Sequence, residues 1–138
     1  MGLILDSSVV ITAERRGDTV AQLFRNIVAV TSDQEVALSA IGLMELVHGI
    51  YRADTPQRRS ARELFIGELI EDIDVYPFTR DTALLAGKID GEQQAKGTVI
   101  PFADLLIGAT ALMLGYSVVT VNPRDFNRIP DLTVTRLY

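Results

Sequence analysis

Apolar residues in this chain fall into two kinds of run that alternate from one end to the other. Short continuous runs such as Leu3-Ile4-Leu5 and Ser117-Val118-Val119-Thr120-Val121 stop abruptly at polar residues and predict buried strands. Longer stretches repeat at three and four residues instead. Val20, Leu23, Phe24, Ile27 and Val28 mark one face of a helix opened by Asp18 or Thr19. Ser7 and Ser8 begin an earlier helix that carries Val9, Val10, Ile11 and Ala13.

The same alternation continues. A polar break over 31–35 precedes a predicted second strand at 36–40 and a helix at 41–51. Thr55-Pro56 opens another helix, since proline is tolerated at a first helical position. A third strand is expected within 73–78, a helix over 81–95 closing near Gly97, and an almost wholly apolar helix over 101–114 with Gly115 as its C-cap. The fourth strand follows at 117–121, and a fifth, at an edge, over 132–135. Strands alternating with helices predict one α/β domain over 1–138, with a parallel or mostly parallel sheet between helical layers.

Composition narrows the setting. At 138 residues the chain suits one domain, and 48% hydrophobic with 22% charged residues is the balance of a soluble globular protein. With no cysteine, disulfides and thiolate metal sites are excluded, which is compatible with a reducing cytoplasm. The opening residues lack the basic and long apolar regions of a signal peptide. The apolar run at 105–114 is shorter than the ~20 residues a membrane span needs. A cytoplasmic protein with no membrane association is therefore expected. Net charge of −5 argues against a generally basic nucleic-acid binder. It leaves room for a nuclease, where divalent cations neutralise carboxylates and local arginines hold phosphate.

Several carboxylates fall where such chemistry needs them. In open α/β sheets ligands bind beyond the carboxyl ends of the strands. Asp6 stands directly after the first strand, Asn122 after the fourth, and Asp125 three residues later. Asp104 opens the apolar helix leading into the fourth strand, where it can cap the helix and ligate a metal through separate oxygens. Glu45 is set among Leu43, Met44, Leu46 and Val47, with no Lys or Arg one turn away at 41, 42, 48 or 49. A half-buried charge of that kind needs a cation. A Mg²⁺ or Mn²⁺ ion held with Asp6 and Asp104 would supply it, since hard oxygen donors suit those ions. His48 is expected to be a packing or surface residue, and Arg58, Arg59 and Arg62 a solvated helix face.

Four blocks in order resemble the PIN-domain ribonucleases, specifically the VapC-type toxins of bacterial type II toxin–antitoxin pairs. They are Leu3-Ile4-Leu5-Asp6-Ser7-Ser8-Val9, the run from Leu38 through Glu45 to Gly49, Pro101-Phe102-Ala103-Asp104-Leu105, and Val118 through Asn122-Pro123-Arg124-Asp125-Phe126 to Ile129. The resemblance implies a PIN-like three-layer fold with a mostly parallel five-stranded sheet flanked by helices. It also implies Mg²⁺ or Mn²⁺, endonucleolytic cleavage of RNA, a homodimer, and inhibition by a small VapB-type antitoxin whose C-terminal segment blocks the active-site groove. Asn122 stands where the family often carries a fourth acid, Gly42 where a hydroxyl is common, and His48 where an aromatic is common.

The expected function is thus a metal-dependent endoribonuclease toxin with catalytic residues Asp6, Glu45, Asp104 and Asn122. Asp6, Asp104 and Glu45 would hold the metal, and Asn122 or Asp125 would serve a second ion. Ser7 and Thr120 would support the ligands by hydrogen bonding. Arg52, Arg58, Arg59 and Arg124 are the candidates for RNA phosphates. Two other classes compete. A phosphotransfer domain using Asp6 as nucleophile would want a second Asp at 8, where Ser8 stands, or a Lys beyond Lys96, where there is none. A non-catalytic interaction module of the same fold is favoured only by Asn122.

Overall fold

The computed structural model describes residues 1–32 and 34–138. Asp33, inside the predicted polar break, lies outside the described residues. In chain order the elements are β1 (Gly2–Leu5), α1 (Ser7–Arg15), α2 (Val20–Val30), β2 (Glu35–Ser39), α3 (Ala40–Tyr51), α4 (Pro56–Asp72), β3 (Asp74–Tyr76), α5 (Arg80–Ala95), α6 (Phe102–Leu114), β4 (Ser117–Thr120), α7 (Pro123–Phe126) and β5 (Val134–Arg136).

The strands form a five-stranded sheet in the order β3-β2-β1-β4-β5, every pair parallel. Because side chains alternate across a strand, each short apolar run feeds two cores. Leu3 and Leu5 face a cluster with Val9 and Val10 of α1, Leu23 and Ile27 of α2, Leu46 of α3, and Phe65 and Leu69 of α4. Ile4, with Ala37 and Val118, faces the opposite cluster of Ala86 and Ile89 of α5, Ile107 and Ala109 of α6, and Phe126 of α7. A sheet buried on both faces explains why its strands read as continuous hydrophobic runs.

Strand order and helix placement together locate the crevice. From β1 the chain winds outward through β2 to the β3 edge, laying α1, α2 and α4 on one face. It then returns through α5 and α6 to β4 and on to β5, with those helices on the other face. The winding reverses between β1 and β4, and at such a switch point the loops part and leave a crevice.

The helix starts predicted at Asp18 or Thr19 and at Thr55 form, and two further caps join them. Thr19, rather than Asp18, caps α2 in a full capping box with Gln22. Ser39, Thr55 and Thr79 each accept a backbone N–H in the first turn of α3, α4 and α5. Such caps are worth about 1 kcal/mol each. Gly115 closes α6 in the left-handed region at φ +70°, as its predicted C-cap role requires.

Two expectations need correction, on the cap of α6 and on the last strand. The cap of α6 is Pro101, and Asp104 lies inside the first turn as its third residue, so it does not cap the helix. Proline takes that position because its fixed φ suits a helix entry. The segment after Asn122 is a one-turn helix, since Pro123 occupies a first helical position. The last strand runs Val134–Arg136, pairing in register with Val118–Thr120 of β4 and shifted towards the C-terminus from 132–135.

Candidate active site

Sheet register builds the first half of the site. Leu5 pairs with Val119, and the Asp6 backbone N–H continues the ladder by donating to the Val119 carbonyl at 2.9 Å. The next step along both strands therefore sets Asp6 beside Thr120. The Thr120 hydroxyl, fully buried, donates to Asp6 Oδ2 at 2.8 Å. Ser8, in the first turn of α1, donates to the same oxygen at 2.6 Å and accepts from the Val121 N–H at 3.2 Å. Thr120 Oγ1 in turn accepts the Asn122 N–H at 3.1 Å. One carboxylate oxygen of a 7%-exposed Asp is thus held by two hydroxyls, and Oδ1 takes neither bond. Asp6 is the N-cap residue of α1 by position, yet its side chain makes no capping bond.

Helix packing builds the second half. Ser7 Oγ donates to Glu45 Oε1 at 3.0 Å, tying α1 to α3. Partial burial raises the Glu45 pKa, the Ser7 bond opposes that shift, and the Asp6 charge adds to it. Asp104 lies on the first turn of α6, where Gly108 lets the helix approach the segment after α7; a Cβ at Gly108 would run into Ile129. Its pKa is pushed up to about 6, chiefly by burial and then by the charges of Asp6, Asp125 and Glu45. No hydrogen bond or cation contributes in the other direction.

The structure thus brings Asp6, Glu45 and Asp125 within electrostatic reach of Asp104, and Asp6 within reach of Glu45. Asn122 is exposed at the start of α7, contributes its backbone to the Thr120 bond and adds no charge. Asp125 is also paired with Arg128 at 3.4 Å. Among the described residues, no three acidic or histidine side chains already form a closed metal cluster.

Sequence reasoning missed Ser8, whose bond to Asp6 is the shortest in the site. The two adjacent hydroxyls at the end of β1 were the available signal. The arginine face also differs from expectation. Arg58 and Arg59 are exposed, but Arg62 is half-buried and donates to the Gly49 carbonyl at 2.6 Å. His48 is exposed, as a surface residue should be.

Known proteins match this arrangement over nearly its whole length. Residues 3–132 match the PIN domain. The chain belongs to the PIN-domain family. A "Ribonuclease VapC" of Rickettsia bellii is 33% identical over 97% of this chain and 95% of its own length. A "tRNA(fMet)-specific endonuclease VapC" of Salmonella typhimurium is 32% identical over 72% of this chain and 73% of its own. These relatives place the chain among the VapC-type PIN domains.

Solved PIN-fold neighbours agree. The chain superimposes on VapBC2 of Rickettsia felis, bound to a promoter DNA fragment, with a TM-score of 0.84 at 22% identity and complete coverage of both chains. It superimposes on DNA-bound VapBC of Salmonella typhimurium with a TM-score of 0.81 at 26% identity, covering 99% and 98% of the two chains. The predicted PIN-like fold with its parallel five-stranded sheet is borne out.

An all-oxygen donor set of crowded carboxylates, one of them with a strongly raised pKa and no cation beside it, fits a hard divalent ion. Among the described residues no helix is long and apolar enough to cross a membrane.

Proposed function

We propose that this chain is the toxin of a VapBC-type pair, an endoribonuclease that hydrolyses RNA phosphodiester bonds with Mg²⁺ or Mn²⁺. One observation carries the reading: three like charges act on the half-buried Asp104 at the switch point of the sheet, with no cation to relieve them. The ribonuclease names of relatives at 33% and 32% identity support it.

In this reading Asp6 Oδ1, Asp104 and Glu45 hold the ion. When bound, it polarises the phosphodiester and lowers the pKa of water. The protein supplies the rest. Thr120 and Ser8 hold Oδ2 of Asp6 and leave Oδ1 without either bond, which keeps the carboxylate from rotating. Ser7 orients Glu45, whose second oxygen is left to hold the attacking water. Asp125, already coupled to Asp104, serves a second ion better than the neutral Asn122. Asn122 keeps a part in the site through the turn that it shares with Thr120.

The chain acts as one domain over residues 1–138, in the cytoplasm, as a homodimer silenced by a small VapB-type antitoxin. Support for the antitoxin comes from the neighbouring folds, which were solved as VapBC complexes. The test is cleavage of total cellular RNA by purified protein with Mn²⁺. Asp104→Asn should abolish cleavage while keeping the fold, and undiminished cleavage by that variant would sink the assignment.

A further inference from the structure

A groove leaves the acidic site on the Glu45 side. Its walls begin at Ser7 and Glu45 and continue with Arg15 at the end of α1, His48 and Arg52 at the end of α3, and Arg62 of α4. A second hollow prolongs it past Arg15 and Arg62 to Arg58, with Glu14 as the one acid in its wall.

The cations along and around it are not equally free, although Arg25, Arg80, Lys88, Lys96, Arg124 and Arg136, away from it, are also in no ion pair among the described residues. Arg16 is paired with Asp18, Arg58 bridges both oxygens of Asp54, and Arg128 is paired with Asp125. Arg59 lies over the Tyr51 ring. Among the described residues Arg15, Arg52 and Arg62 are in no ion pair. Arg62 instead donates to the Gly49 carbonyl, one of the last-turn carbonyls of α3 that helix geometry leaves free. That bond pins the guanidinium at the groove wall and leaves its other N–H groups available.

A chain of net charge −5 therefore gathers unpaired guanidiniums along one channel that starts at its acid cluster. On the opposite flank stand Asn122, Asp125 and the exposed Arg124, in no ion pair among the described residues, while Arg128 there is occupied by Asp125 and the Val99 carbonyl. Three unpaired guanidiniums on the Glu45 side against one on the other favour a polyanion running along the groove.

We propose that the RNA backbone on one side of the cleaved bond lies in the groove between α1, α3 and α4, with its phosphates held by Arg15, Arg52 and Arg62. The occupant is RNA on the strength of the nuclease reading; the polyanion track itself rests on the arginines. It replaces Arg58, Arg59 and Arg124 as phosphate contacts and keeps Arg52.

The experiment measures binding apart from cleavage. Intact protein in EDTA is titrated with a short fluorescein-labelled single-stranded RNA of mixed sequence, by anisotropy across a range of KCl. Each phosphate contact adds about 0.7 to the slope of log K against log salt for single strands. The exposed pair Arg15→Gln/Arg52→Gln should lower that slope by about 1.4 and weaken binding about 25-fold at ~0.1 M salt. Arg25→Gln, exposed on α2, should change neither. An unchanged slope and affinity in the double variant overturn the proposal, as they would if the groove serves a protein inhibitor instead. An equal loss on Arg124→Gln overturns the one-sided track. Cleavage with Mn²⁺ is scored separately. A wild type that binds RNA through the groove but never cuts it defeats the nuclease reading and leaves the groove standing. A double variant that still binds and cuts like wild type does the reverse.

Discussion

Two carboxylates at opposite ends of the sheet receive opposite treatment. Glu35 begins β2 and is met by the hydroxyls of Tyr116 and Tyr76, which come from the approach to β4 and from β3. Those bonds, Tyr116 first, lower its pKa although it is exposed. Asp104, beyond the other end of the strands, is half-buried, gains no donor and has its pKa pushed up to about 6 by burial and by Asp6, Asp125 and Glu45. At one end the protein satisfies a charge that water could have satisfied. At the other it crowds charges that water cannot fully reach. Folding alone favours the first arrangement, which makes the second the candidate site for a bound cation.

The sharpest way to break this contrast is to neutralise the crowded end. Asp104→Asn should reduce RNA cleavage by at least about three orders of magnitude, as expected when a metal ligand and its charge are lost. The same substitution should stabilise the metal-free protein. A pKa displaced from 3.8 to about 6 corresponds to roughly 3 kcal/mol, and partial solvent screening reduces this to about 1 kcal/mol near neutral pH. Urea unfolding in EDTA measures the gain. A variant less stable than wild type would show that the site is not repulsive.

Ser8 sharpens the contrast within the site, because Asp6 and Asp104 share a rim but not a hydrogen-bonding environment. Ser8→Ala removes one of the two donors to Asp6 Oδ2 while Thr120 keeps the other. The freed carboxylate should bind Mn²⁺ about 10-fold to 100-fold more weakly, the usual cost of losing support behind a ligand. Calorimetry against wild type reads the change. Unaltered affinity would reduce Ser8 to packing.

Titration gives a smaller effect. A folded pKa raised above the unfolded one means that the native state holds its proton longer. Stability is then fully present below about pH 3.8 and declines as pH rises through about 6. In EDTA, wild type should therefore lose stability relative to Asp104→Asn across that window, by about 1 kcal/mol in all. Mg²⁺ should restore most of it. A difference between the two proteins that does not vary with pH would remove Asp104 from the coupled set.

Much of this was legible in the sequence, and what was missed has common causes. Strand–helix alternation followed from short continuous apolar runs set against stretches of period 3.6; Asp6 was singled out by its place at the end of the first strand, and Glu45 by neighbours that make a charge costly. The capping role expected of Asp104 does not form. A carboxylate beside a helix start suggests a cap, but Pro101 takes that position and moves Asp104 into the first turn. Ser8 was overlooked because its partners, Asp6, Thr120 and Val121, are joined only by the pairing of β1 with β4. Arg62 read as solvated because the carbonyl it meets belongs to another helix. The Glu35 cluster escaped notice for the same reason, its two tyrosines lying 41 and 81 residues away.

That cluster supplies the mildest test. Glu35→Gln removes the charge that raises the Tyr116 pKa, so the phenol should ionise at lower pH, visible in an ultraviolet titration. A depressed carboxylate pKa adds stability above about pH 4.5 that is lost as pH falls through the folded value, so the substitution should destabilise slightly near neutrality and less in acid. RNA cleavage and Mn²⁺ affinity should not change, because Glu35 and the acid rim lie at opposite ends of the strands. A clear fall in either would mean that the two ends are coupled through the sheet, and that the satisfied carboxylate helps to set the crowded one.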